Sequence, residues 1–186
     1  MRKLFIIAAL TLALPILAQA QDSPSVEIFG GYSYLRGDDG DGGVDLHGWN
    51  ASFNQNFLKW LGVKADFSGH YGDFTIFPGL GSDLNAHLFL IGPQITLRKS
   101  DRFQPFGHVL FGVMRTHLTY FDVTGRVNAR DNAFAIAAGG GLDVKVTDHL
   151  AVRLFQADYV LTRFDDDSQN NFRASTGLVL RLGKVD

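Results

Sequence analysis

From about residue 25 onward the chain alternates apolar and polar residues with period two, in eight runs. A strand turns successive side chains to opposite faces, so each run predicts a strand with one apolar and one polar face. The first covers about 25–36, with Val26, Ile28, Tyr32 and Tyr34 on one parity. In the second, about 46–57, His47, Trp49, Ala51 and Phe53 oppose Asn50, Ser52 and Asn54. The third, about 61–72, sets Leu61, Val63, Ala65, Phe67 and Tyr71 against Lys64, Asp66, Ser68 and His70. The fourth, about 84–98, has Phe89, Ile91, Pro93, Ile95 and Leu97 opposite Gly92, Gln94, Thr96 and Arg98. Pro93 cannot donate to a ladder, which predicts a bulge or kink there. The fifth, about 103–118, is ambiguous in parity, with Val109, Phe111 and Val113 as its preferred apolar side. The sixth, about 133–146, opposes Phe134, Ile136, Leu142, Val144 and Val146 to small residues, Asp143 and Lys145; the seventh covers about 150–163. The eighth places Phe172, Ala174, Thr176, Leu178, Leu180 and Leu182 opposite Arg173, Ser175, Gly177, Val179 and Arg181.

The connections alternate in length. GDDGDGGVD, DFTIFPGLGSD, TYFDVTGRVNARDN and FDDDSQNN are long, whereas LKW, KSDR and TDH are short. In an up-and-down barrel this puts all long connections at one end, as in outer-membrane barrels with short periplasmic turns and longer extracellular loops. Period alone leaves two barrels open, because a periplasmic calycin-like barrel that binds an apolar ligand uses the same alternation with the apolar face inside. Run length favours the inverted, membrane-spanning form: a tilted strand crosses a membrane in about 9 to 11 residues, and soluble strands are usually about half the length of these runs. Small residues on the polar parity suit a narrow lumen, and aromatics near the run ends resemble interfacial girdles.

The first twenty residues change where such a barrel resides. Arg2 and Lys3, the apolar stretch from Leu4 to Leu17, and Ala18-Gln19-Ala20 form the three parts of a secretory signal, predicted to be cleaved from a single mature domain over 21–186. The apolar stretch is shorter than the roughly 20 residues of a spanning helix and contains Pro15. The chain has no Cys, which excludes disulfides, thiolate metal sites and cysteine nucleophiles. Without the two basic residues of the leader, the 17 Lys and Arg of the chain fall to 15 against 19 acidic residues, a balance that argues against nucleic acid.

With these features the chain resembles the small eight-stranded outer-membrane proteins, the family typified by the transmembrane domain of outer membrane protein A. FGGYSYLR (Phe29 to Arg36) looks like the opening strand of such barrels and QPFGHVLFGV (Gln104 to Val113) like their central Gly-rich strand. The resemblance implies an all-β, eight-stranded antiparallel up-and-down transmembrane barrel in the outer membrane, monomeric and surrounded by lipid. It also implies that the last strand is read by the outer-membrane assembly machinery, through a polar residue, a Gly and two hydrophobic positions that Ser175, Gly177, Leu180 and Leu182 match. The family usually has aromatics at the last positions; here both are Leu, and GKVD follows.

If the apolar parity faces lipid, ionisable residues must face the lumen and need partners there. Glu27, Lys64, Asp66, Asp143, Lys145 and Arg181 predict an ionic plug toward the periplasmic end, with Asp158 and Arg173 facing each other above it beside Gln156. The same parity turns Arg153 outward unless a bulge interrupts the seventh strand. Such charges fill a narrow barrel; a small gated ion path is the alternative. A lipid-modifying enzyme would need nucleophile, base and substrate access together, and Ser68 and His70 of DFSGH lie on the luminal parity. No metal-ligand spacing or phosphate loop occurs, so no catalytic residue, cofactor or metal is assigned. The expected role is non-enzymatic: structural, or recognition of an extracellular partner through the loops. Phe74, Ile76, Phe77, Tyr120 and Phe121 are the candidate contact residues there, unless they only extend the strands above the membrane.

Overall fold

The computed structural model describes residues 23–37, 43–77, 80–122, 125–164 and 167–185. The expected leader therefore lies outside the described residues. Eight strands follow in order: β1 Val26–Gly37, β2 Val44–Asn56, β3 Leu61–Phe77, β4 Leu80–Thr96, β5 Phe103–Asp122, β6 Gly125–Lys145, β7 Leu150–Phe164 and β8 Asp167–Leu182. Each pairs antiparallel with its sequence neighbour, and β1 pairs with β8, which closes the barrel. Closure leaves no open edge, the condition a sheet must meet to span a bilayer.

The apolar parity faces outward. Ile28, Trp49, Phe53, Phe67, Phe89, Ile91, Phe111, Val113, Phe134, Leu178 and Leu180 are among the large hydrophobic residues exposed on the wall. A calycin would bury these residues, so the inverted barrel is the fold. On β5, Val109, Phe111 and Val113 are outward, resolving the ambiguous run.

Three features depart from the period-two reading. Strand β7 bulges: its register to β8 shifts between Arg153 and Gln156, so Leu154 and Phe155 both face outward while Arg153 and Gln156 both face in. The extra residue inverts parity for one half of the strand, and Arg153, expected outward, is 3% exposed. At Pro93 no residue is inserted. The β4–β5 ladder lacks pairs for Gly92 and Pro93, while its register is the same on both sides. Finally, much of what reads as long loop is strand. β5 and β6 run for 20 and 21 residues against 12 and 13 in β1 and β2, so β3 to β6 project beyond the rest of the barrel at the end opposite the short turns.

The seam between β1 and β8 demands glycine at one point. Gly31 pairs with Gly177, and a Cβ on Gly31 would lie 2.0 Å from the Thr176 carbonyl oxygen. A Cβ on Gly177 would lie 2.3 Å from the Gly30 carbonyl oxygen, so neither residue can carry a side chain without parting the strands. Beyond β8, Gly183 turns the chain at φ 66°, and Val185 then bridges to Ser23.

Candidate functional site: the filled lumen

The interior is built in layers, because each inward-facing position meets inward positions of neighbouring strands at the same height. At the end of the short turns, Glu27 of β1 meets Arg181 of β8 and Arg98, which follows β4. Arg98 Nη2 donates to Glu27 Oε2 at 3.0 Å and Arg181 Nη2 to Oε1 at 3.3 Å. Asn54 and Asn56 of β2 also donate to Glu27 Oε2. Gln104 Oε1 accepts from Arg98 and from Arg181.

Above this layer lies a second, larger one. Arg173 donates to Asp158 Oδ2 at 2.7 Å, to Asp66 Oδ1 at 2.7 Å and to Ser68 Oγ at 3.0 Å. Lys64 lies 3.3 Å from Asp66 and donates to Gln156 at 3.1 Å. His108 Nε2 is 2.8 Å from the other oxygen of Asp158. Arg153 holds Asp143 in a two-point contact of 2.8 and 3.0 Å, a geometry that a planar guanidinium and a carboxylate share. Its guanidinium also lies 4.4 Å from the Phe29 ring centroid and 4.2 Å from that of Phe106.

The third layer, toward the projecting strands, is apolar. Leu35, Leu46, Leu88, Leu90, Leu110 and Val160 pack inside the barrel against alanines of β6. The alternation conceals this layer, because on β4 and β5 both faces are apolar at these positions. Asn171, Thr162 and the Val160 carbonyl form a small polar group at the same end.

Of the residues read as a luminal network, Glu27, Lys64, Asp66, Asp143, Asp158, Arg173 and Arg181 are all buried inside. Lys145 is not one of them. It pairs at 2.6 Å with Asp148 in the turn before β7, at the rim, and its side chain is 32% exposed. Lys145 holds the Asp148 carboxyl below the usual carboxylate range through that bond. Asp143, expected beside Lys145, has Arg153 as its partner instead. Arg98, Gln104 and His108 escaped the sequence reading of the network. Arg98 shares the polar parity of its run, but it stands at the end of that run, where a luminal and a solvated charge look alike.

In DFSGH, Ser68 and His70 both face the lumen, but they do not pair. His70 Nε2 is 2.9 Å from Ser33 Oγ, while Ser68 accepts from Arg173. With Asp66 committed to Arg173 and Asn50, no nucleophile–base–acid relay exists, and His70 is fully buried. No group of three or more metal-ligating side chains occurs among the described residues. Ser175 is luminal and 2.9 Å from Ser33, Gly177 lies at the seam, and Leu180 and Leu182 face outward. Phe74, Ile76 and Phe77 fall in β3, and Tyr120 and Phe121 in β5, so strand extends through these positions; their side chains lie outside the described residues.

Outside the wall, near the projecting end, the polar atoms of the aromatic residues find partners. Tyr32 Oη is 2.5 Å from His47 Nδ1, and Tyr34 donates to Asp45 at 2.6 Å. Trp49 Nε1 donates to Tyr71 Oη at 3.4 Å, which is 3.3 Å from His87 Nε2. Rings that are apolar at one end and hydrogen-bonded at the other suit a membrane–water interface.

Solved structures similar to this chain include outer-membrane proteins. The attachment invasion locus protein Ail of Yersinia pestis superposes with a TM-score of 0.61 at 18% identity, over 84% of this chain and 99% of that one. Ail has also been determined in complex with the heparin analogue sucrose octasulfate. Neisserial surface protein A gives a TM-score of 0.65 at 9% identity, over 88% of this chain and 100% of that one. The outer membrane protein OprG of Pseudomonas aeruginosa gives 0.53 at 15% identity, over 88% and 98%. At such identities the likeness establishes the fold alone. No curated protein matches the chain. The model of the outer membrane protein beta-barrel domain matches residues 6–179, and the chain belongs to that family: it is an integral outer-membrane β-barrel.

Proposed function

We propose that this barrel is a non-enzymatic surface protein that holds the extended sheet of β3 to β6 outside the membrane for recognition of an extracellular partner. The observation that carries this reading is strand length. About 9 to 11 residues cross a membrane, so roughly half of β5 and β6 is surplus to spanning. A filled, ion-paired lumen supplies the rigid base such a projection needs, since loops and extensions on rigid scaffolds carry binding. The β5–β6 extension contains Arg115, Arg126 and Arg130 against Asp122 and Asp131, so a polyanion is the first ligand to try. The heparin analogue bound by Ail points to the same class of probe.

In the cell, the outward Leu180 and Leu182 with Ser175 and Gly177 serve as the segment read by the assembly machinery, and surrounding lipid and that machinery are its other partners. The barrel is monomeric. The test of the surface role is heparin binding by intact cells that display the parent or a variant lacking residues 118–129. Loss of heparin binding with retained heat-modifiable gel migration supports the reading. Equal binding by both, or none by the parent, removes the polyanion as the ligand.

A further inference from the structure

Below the Glu27 layer the barrel opens into a cavity of about 630 Å³ at the end of the short turns. Arg98 and Arg181 line it with Gln104, and Lys145, Asp148 and Lys184 lie on its rim. We propose that this mouth binds a small soluble oxyanion, a carboxylate or phosphate group, from the periplasmic side.

Charge distribution leads to this first. In the middle layer Lys64, Arg153 and Arg173 balance Asp66, Asp143 and Asp158, three charges against three. At the mouth, two buried guanidiniums share the single carboxylate of Glu27. Rim charges do not correct the excess, because Lys145 and Lys184 are matched by Asp101 and Asp148. Among the described residues one positive charge remains over, at side chains that are 5% and 3% exposed, and buried charge demands a counter-charge.

Hydrogen-bond counting leads to the same place. A carboxylate offers about four acceptor sites. Glu27 is approached by Arg98 twice, Arg181 twice, Asn54 and Asn56, and the contacts to its Oε1 stretch to between 3.3 and 3.4 Å. Gln104 Oε1 is shared between the same two arginines. Donors therefore crowd onto Glu27 and Gln104, and the two guanidiniums face a polar cavity with room for an oxyanion. A carboxylate or phosphate would supply the missing charge and accept bidentate bonds from a guanidinium. The cavity lies on the barrel axis and not on the lipid-facing wall, which favours a soluble anion over a lipid headgroup.

The test uses the folded barrel in a phosphate-free maltoside detergent, titrated with sodium phosphate or acetate at ionic strength held constant with sodium chloride. The expected result is a saturable rise in the unfolding midpoint and broadening of the phosphate ³¹P resonance, both weakened at least tenfold in Arg181→Gln. If Arg181→Gln loses its folded gel migration, Lys145→Gln on the exposed rim is expected to weaken binding severalfold with the fold intact. A response no larger than that to sodium chloride, or equal binding by a folded Arg181→Gln variant, would overturn the proposal. Phosphate binding abolished in phosphatidylglycerol nanodiscs, but kept in phosphatidylethanolamine ones, would overturn the soluble source and assign the site to a headgroup.

Discussion

The guanidinium of Arg153 lies face-on to Phe106, 4.2 Å from its ring centroid, with Phe29 at 4.4 Å on β1. A desolvated cation over an aromatic face gains about 2 kcal/mol, more than at an exposed site. Phe106→Leu keeps the volume apolar but removes the ring quadrupole. We expect it to lower stability by about 1 to 2 kcal/mol, read as a shift in the urea midpoint of the detergent-folded barrel. Stability equal to the parent would mean that the ring acts only as a filler.

Arg173 bridges two carboxylates from strands on opposite sides of the middle layer. Arg173→Met leaves Asp66 with Lys64 and Asn50, and Asp158 with His108 and Gln156, so two buried carboxylates share one remaining formal positive charge, that of Lys64. Breaking a buried pair in this way costs about 3 to 5 kcal/mol. The expected outcome is a large fall in the urea midpoint, substantially restored in the double variant Arg173→Met, Asp158→Asn, which rebalances the layer and keeps the Lys64–Asp66 pair. Absence of that rescue would show that Arg173 contributes packing more than charge.

The apolar layer and the two ionic layers together fill the lumen, so reconstituted protein is expected to give no stable single-channel current in planar bilayers. Leu110, which is fully buried, probes the upper layer. Leu110→Ala should destabilise the barrel by about 2 to 5 kcal/mol, as core truncations do. A steady conductance in the parent protein would overturn the filled-lumen view.

Val109 is outward on β5 and 41% exposed, four residues further than Val113 from the interfacial Tyr71–His87 pair. In a bilayer Val109→Arg should cost about 2 to 4 kcal/mol. The same substitution on a soluble surface would change little. Unfolding titrations in lipid vesicles, compared with Lys99→Ala in the exposed turn after β4, separate the two.

Much of this structure was legible from parity alone, because a lipid-facing wall forces large apolar residues onto one face of each strand. Glu27 and Arg181 could be paired from the sequence, since the closing strands of a barrel are neighbours. Arg153 could not be placed, because a one-residue bulge inverts half of β7 and no local composition announces it. Lys145 keeps the luminal parity yet reaches only the rim, where Asp148 three residues on captures it. Leu88, Leu90 and Leu110 were hidden for a different reason: an apolar interior layer erases the contrast between the faces on which the reading depends. Extension of β3 to β6 above the membrane was read as loop, because Gly and Asp are frequent there while ladder pairing still holds them.

The pairing of β1 with β8 has a consequence for biogenesis. Val26 pairs with Leu182, and Glu27 bonds to Arg181 at a separation of 154 residues. Those last contacts cannot form until the final strand has been exported, so every earlier species carries two unsatisfied strand edges. Such edges invite aggregation, and contacts this distant in sequence form slowly. A chain cut short before β8 would therefore not yield a smaller pore-like sheet. It would remain a transit form that depends on periplasmic chaperones, and it would be a substrate for proteolysis and not for insertion.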